Sequence, residues 1–164
     1  MAEIIYRKLE KVDIKVLIDM RMSQLQEEGA EPTFDLAPAL QEFYDKHLED
    51  GTFISWAAVE NGRIIATSGM SFVEKPPYYA NPSGRIGLLS SMYTLKEYRR
   101  KGIAKALLDK VINEARLHGC GAVQITASDM GVPLYMDYGF KKNGNFMQYS
   151  FTNQVNSNFH GIFS

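Results

Sequence analysis

The run Tyr98-Arg99-Arg100-Lys101-Gly102-Ile103-Ala104-Lys105-Ala106-Leu107-Leu108 joins a basic, polar loop to the start of an apolar stripe. Beyond Gly102, the residues Ile103, Ala104, Leu107, Leu108, Val111, Ile112 and Ala115 recur with a period of about 3.6, which predicts an amphipathic helix. Lys105, Asp109, Lys110, Asn113 and Glu114 fill its other face, and His118-Gly119 supplies a terminal signal: a candidate cation, then glycine. The first N–H groups of any helix lack intrahelical acceptors and sit at the positive end of its dipole, so they form a ready anion site. Gly102 lets the backbone turn sharply and approach a ligand closely, and Ala104 keeps the first turn narrow. Clustered cations at a helix start are unfavourable unless an anion is present. A pyrophosphate lying across the amides of residues 100–105 fits this pattern; a solvated basic turn is the plainer alternative.

Upstream, Ile4 to Leu9 reads as a first strand, and Asp13 as the cap of a helix running to about Glu28. Asp35 is the expected cap of a second helix ending at Asp50-Gly51. Residues 53–59 and 63–73 are strands flanking Glu60-Asn61-Gly62, a strong hairpin signal. Residues 75–84, with Pro76-Pro77 and Asn81-Pro82-Ser83-Gly84, read as an exposed loop, and Arg85 to Leu95 as the strand that feeds the basic loop. Downstream come a strand at 122–127, a short helix from about Met130 to Tyr138, and a closing strand pair at 140–142 and 145–152. A loose Asn/Ser-rich tail follows. The order predicts a mixed α/β single domain over 1–164, with its core at about 4–152.

The bulk properties narrow the function classes. At 164 residues with 45% hydrophobic content, the chain can bury a sizeable core. Its net charge of -1 provides no global field for nucleic acid, so any anion site is local. Cys120, the single cysteine, excludes an internal disulfide and is expected to be a small apolar filler. No apolar run approaches the ~20 residues that span a membrane, and the first residues lack a signal-peptide pattern. A soluble cytoplasmic protein is the expectation. His47, His118 and His160 are isolated, so no metal site is expected.

Two other phosphate motifs fit poorly. A P-loop needs Gly-Lys-Ser/Thr, and here Gly102 precedes Ile103-Ala104. A dinucleotide fingerprint needs spaced glycines opening a helix, whereas Gly119-Cys120-Gly121 precedes a strand. The stretch from Tyr98 to Leu108 instead resembles the acetyl-CoA motif of the GNAT N-acetyltransferase superfamily, Arg/Gln-x-x-Gly-x-Gly/Ala. Pro133-Leu134-Tyr135-Met136-Asp137-Tyr138-Gly139-Phe140 resembles that family's second signature, Leu-Tyr followed shortly by Gly-Phe. The element order agrees from residue 4 to about 152. The resemblance implies a GNAT-like fold: a mixed, mostly antiparallel central sheet flanked by helices.

It also implies roles. The backbone of Met92, Tyr93 and Thr94 would pair with the pantetheine arm of acetyl-CoA, and Arg99, Arg100, Lys101, Gly102, Ile103, Ala104 and Lys105 would hold its pyrophosphate. Transfer to the amine would be direct, without an acyl-enzyme. Tyr135 stands at the family's proton-donor position, with Tyr138 close by on the same helix as a packing or cofactor-binding residue. Met92 N–H would polarise the thioester carbonyl. Ser128 stands where many members have asparagine, and Leu88-Leu89-Ser90-Ser91 lacks the carboxylate many members place there, which leaves the base open. Glu27, Glu28, Glu31 and Asp35 cluster where the family borders its acceptor pocket, and Tyr78, Tyr79, Phe34 and Tyr44 are candidate pocket aromatics. Glu28, Glu31 and Tyr78 are the acceptor-binding candidates; a solvated helix end is the alternative for the acids. The acceptor would be a small-molecule or peptide amine, and the family allows a homodimer. A non-catalytic acyl-CoA sensor and a nucleotide-binding protein are the competing classes.

Overall fold

The computed structural model describes residues 2–151. Ten main elements follow the chain: β1 (Ile4–Lys8), α1 (Ile14–Glu27), α2 (Ala37–Asp50), β2 (Phe53–Ile54), β3 (Trp56–Glu60), β4 (Arg63–Glu74), β5 (Arg85–Thr94), α3 (Ile103–Leu117), β6 (Ala122–Gln124) and α4 (Val132–Tyr138). They form a six-stranded sheet in the order β1-β3-β4-β5-β6, with β2 paired to β4. All pairings are antiparallel except β5 with β6. The mixed, mostly antiparallel sheet flanked by helices agrees with the sequence reading.

Strand alternation explains the two-layer core. Ala57 and Val59 of β3 face the layer of α1 and α2, packing with Leu17, Ile18, Tyr44 and Phe53. Ala58 and Ile65 face the opposite layer, where they meet Ile103 and Leu107 of α3. Farther along the same face, Leu108, Val111 and Ala115 pack with Met70, Leu89 and Tyr135. Leu107 and Leu108 are fully buried; burial of each such side chain contributes about 1.5–3 kcal/mol. The predicted stripe of α3 is therefore the face that fixes this helix, and its N-terminus, on the sheet. Among the described residues, no helix is long and apolar enough to cross a membrane.

Asn61 and Gly62 turn the β3–β4 hairpin with positive φ at both positions, 49° and 77°, as a two-residue turn of this kind demands. Other expectations are corrected. The strand at 53–59 breaks at Ser55, whose hydroxyl donates to the Ser68 carbonyl while its own carbonyl accepts Leu9 N–H. Asp13 does not cap α1 with its side chain. Its carboxylate instead accepts Glu10 N–H at 2.9 Å and pairs with Arg7 at 2.8 Å. The strand at 122–127 ends at Gln124. The closing strand pair is absent among the described residues: 140–151 contain no strand. Asn143 instead accepts Asn145 N–H through its side chain, at 3.4 Å, and Phe146, Met147, Tyr149 and Phe151 are exposed. Residue 152 and the tail lie outside the described residues.

Candidate active site

A β-bulge shapes the site. On β4 and β5, Gly69 pairs with Ser90 and Thr67 with Tyr93, so Ser91 and Met92 together face Ser68. The surplus residue is absorbed by Ser91, which has φ 54° and is buried. Such a bulge bends its strand and re-aims the backbone. Next to it the sheet splits. The β5–β6 ladder holds only from Ile86–Ala122 to Leu88–Gln124, while β5 continues to Thr94. Among the described residues, 90–94 therefore have no ladder partner on the β6 side.

A cleft of about 820 Å³ opens at this split. The β5 backbone from Ser90 to Thr94 forms one wall, Ile125, Thr126, Ser128 and the start of α4 the other, and the end of α1 closes one side. Gly102, Ile103, Ala104 and Lys105, at the start of α3, also line it.

The start of α3 is built for an anion. Gly102 is the N-cap, at φ 80°, and offers no side-chain acceptor. Ala106 N–H is the first to bond back within the helix, to Gly102 O at 3.1 Å; the N–H groups of Ile103, Ala104 and Lys105 precede it. A Cβ built on Gly102 would meet nothing within 4 Å, so the space beside these donors is open. Arg100, with φ 65°, and Lys105 both line the cleft without an ion-pair partner among the described residues. Donors, dipole and cations converge on one open volume that suits a diphosphate.

Of the other two cations of the loop, Arg99 lines the cleft but already has partners in the protein. Arg99 donates from Nε to Thr94 O at 2.8 Å and from Nη2 to Glu27 Oε2 at 2.7 Å. Tyr93 OH donates to Glu27 Oε1 at 2.8 Å, and the Arg99 guanidinium lies 5.5 Å from the Tyr93 ring centroid. Burial raises Glu27, yet the hydrogen bonds from Arg99 and Tyr93 outweigh it and leave this carboxyl below its ordinary value. Arg99 thus ties the loop to the end of α1. Lys101 does not line the cleft; its ammonium lies 5.3 Å from the Tyr98 ring centroid.

Tyr135 is 6% exposed and still lines the cleft. Its ring packs edge-on to Phe140 at 5.5 Å. Burial, reinforced by the Glu28 carboxylate, pushes its phenol far above the ordinary value, so it stays protonated throughout the neutral range. Gly131 makes room for it: a Cβ there would come within 2.9 Å of Tyr135 Cε2.

Of the remaining predicted residues, Met92, Tyr93, Thr94, Ser128 and Glu28 line the cleft. Tyr138 does not; its hydroxyl donates to Asp109 on α3 at 2.8 Å. Glu31 and Tyr78 are exposed and stand apart from the cleft lining. Cys120 packs beside the α3 core, where burial raises its thiol, which suits a filler. Gln24 also lines the cleft, buried and hydrogen-bonded to Glu28 at 3.2 Å. Sequence reading passed over it, although a glutamine seven residues beyond Leu17 on a buried stripe is a polar residue where an apolar one is the rule. Among the described residues no cluster of His, Cys, Asp and Glu could hold a metal ion.

Comparison with known proteins agrees with this geometry. The family model described as Acetyltransferase (GNAT) family matches residues 15–140. A predicted acetyltransferase from Clostridium acetobutylicum, solved with acetyl-CoA, superposes with a TM-score of 0.87 at 35% identity, over 90% of this chain and 96% of that one. A GCN5-related N-acetyltransferase from Ralstonia eutropha superposes with a TM-score of 0.80 at 25% identity, over 90% of this chain and 99% of that one. The N-acetyltransferase 8B of Rattus norvegicus is 35% identical over 95 residues, 56% of this chain and 40% of that protein. The chain thus spans less than half the length of the curated relatives it matches. By the family model and the shared fold, the chain belongs to the GNAT acetyltransferase family.

Proposed function

We propose that this chain transfers an acetyl group from acetyl-CoA directly to a primary amine. The observation that carries it is the meeting, in one cleft, of the uncapped α3 start and the buried, protonated Tyr135. Acetyl-CoA supplies an activated thioester, and the residues present fit it. Ile103, Ala104 and Lys105 N–H groups with the Arg100 and Lys105 side chains suit its pyrophosphate, and the unpaired β5 edge at Met92 and Tyr93 suits an extended amide-bearing arm. The carbonyl of Thr94 already accepts Arg99 Nε. The Ser128 hydroxyl, at the cleft wall, accepts Gly131 N–H at 3.3 Å, a bond that supports the α4 start.

Tyr135 serves the leaving sulfur as a hydrogen-bond donor. Free thiols ionise near ~8.5 and phenols near ~10, so complete proton transfer from a phenol raised further still is uphill. A fixed O–H aimed at developing negative charge in a dry site stabilises it without giving up the proton. Met92 N–H, turned by the bulge, is the proposed donor to the thioester oxygen. Glu28 is the proposed contact for the acceptor's ammonium group, whether that amine belongs to a small molecule or a peptide.

The test is thiol release from acetyl-CoA with a panel of amines, alongside calorimetry with CoA and ATP. Amine-dependent release and CoA binding are expected. CoA binding without release under any amine would leave an acyl-CoA-binding module, and ATP binding without CoA binding would sink both readings.

A further inference from the structure

The general base has no place in the β5 strand, where Leu88-Leu89-Ser90-Ser91 holds no carboxylate. A buried relay on α1 faces the same bulge. Gln24 is 5% exposed. Its Oε1 accepts Arg21 Nη1 at 3.1 Å, and its Nε2 donates to Glu28 Oε1 at 3.2 Å and to Met92 O at 3.5 Å. Arginine can only donate; an ionised carboxylate and a carbonyl can only accept. The flipped amide would oppose donor to donor at Arg21 and acceptor to acceptor at Glu28 and Met92. The partners therefore dictate which way the amide points, and an amide so held cannot swing away from Glu28 without breaking its bond to Arg21.

Residues 21, 24 and 28 lie along one side of the helix, so the relay is one rigid line from α1 to the cleft. We propose that Glu28 is the proton acceptor for the attacking amine and that Gln24, keyed by Arg21, is the positioning residue that holds its carboxylate beside the bulge. This rests on the acetyl-transfer reading above. The balance is complete. Glu28 takes one proton from the ammonium and passes it to solvent. The freed nitrogen lone pair forms the C–N bond as the C–S bond breaks, its electron pair leaving on sulfur. The second nitrogen proton ends on that sulfur through solvent. Gln24 also touches the carbonyl of the residue whose N–H is assigned to the thioester, so one amide sets the position of base and bulge together.

The titratable and charged groups that face this line are Arg21 and Glu27 on α1, Tyr44 on α2, Tyr93 on β5, Lys96 and Arg99 in the loop after it, and Tyr135 on α4. Gln24→Leu removes the donor that holds the Glu28 carboxylate, so kcat for the amine at neutral pH falls about tenfold while CoA affinity by calorimetry stays within about twofold. Gln24→Glu keeps size and polarity should the leucine variant fold poorly, and it lowers kcat likewise, because a carboxylate cannot donate to Glu28. Glu28→Gln lowers turnover by about 10²-fold or more. Unchanged kcat in both Gln24 variants, or a loss of CoA affinity matching the loss of rate, overturns the positioning role. Wild-type-like turnover of Glu28→Gln overturns the base. A wild type that binds CoA yet acetylates no amine overturns the acetyl-transfer reading itself, and this role with it, whereas an active wild type with unaffected variants overturns this role alone.

Discussion

Replacing Tyr135 by phenylalanine removes one hydroxyl from the cleft and little else. The ring keeps its edge contact with Phe140 and its place in the core against α3. Among the described residues its oxygen is tied into no hydrogen bond, so the loss of the hydroxyl strands no partner. Stability should therefore change by less than about 1 kcal/mol, as for substitutions that break no buried contact. The rate should not be spared. If the hydroxyl donates to the developing negative charge on sulfur, its loss resembles the loss of one oxyanion-hole donor, about 10²–10³ in kcat or 2.7–4 kcal/mol. The raised phenol sharpens the pH prediction. A donor held protonated well above the ordinary tyrosine range cannot produce a basic limb below ~pH 10. Wild type and Tyr135→Phe should share one pH profile, displaced vertically. The assay is thiol release under saturating acetyl-CoA, with CoA affinity and thermal unfolding measured on the same samples. Turnover within about threefold of wild type, with intact folding, would refute the donor role.

Gly131→Ala sets a methyl 2.9 Å from Tyr135 Cε2 and 3.3 Å from Ser128 Oγ; overpacking of this kind should cost about 1–3 kcal/mol in thermal unfolding and lower kcat more than it lowers CoA affinity. Arg100→Gly separates strain from function, because Arg100 holds φ 65°. Unfolding should show a gain of up to about 1 kcal/mol, while calorimetry shows CoA binding at least about tenfold weaker and less dependent on salt. Lys105→Ala should weaken CoA similarly, and Lys101→Ala, whose ammonium sits over Tyr98, by less than about twofold. Glu27→Gln tests the tie between loop and helix through stability against pH. The folded-state value of Glu27 is depressed, so its contribution is present above the ordinary glutamate value of about 4.3 and lost as pH falls below it. Acid unfolding curves of wild type and Glu27→Gln should therefore differ at neutral pH and converge as pH falls below the ordinary glutamate range; parallel curves would count against the tie.

What could be read from sequence was local. The stripe of α3 and the Asn61-Gly62 turn are settled by residues a few positions apart, and both appear as expected. So does the order of elements up to α4. The features missed depend on distant partners. Nothing about Ser91 announces a positive φ, because the bulge exists only where β5 meets β4 at Ser68. The break at Ser55 depends on Ser68 and Leu9. The apolar residues between 145 and 151 read as strand by composition, but the end strand of the sheet, β6, is only Ala122–Gln124 and offers them a very short edge. In the cleft, sequence identified the loop but could not divide its cations, since the partner that claims Arg99 lies 72 positions away.

That division changes how the loop works. Four cations around one helix start would repel each other and oppose the dipole. The fold neutralises the first with Glu27, turns Lys101 onto an aromatic face, and leaves Arg100 and Lys105 beside the free amides. Arg99, which lines the cleft, also acts as a strut. It joins the loop that would hold the acyl donor to the last turn of α1, one residue before Glu28. Gln24 makes a second link, from Glu28 to the bulge at Met92. Two short polar bridges thus connect the diphosphate end, the thioester and the proposed base through a single helix. A shift of α1 alters all of them together, so substitutions on its buried face that never touch either substrate should change acceptor turnover and CoA affinity in concert, whereas substitutions at Gln24 alone should separate the two.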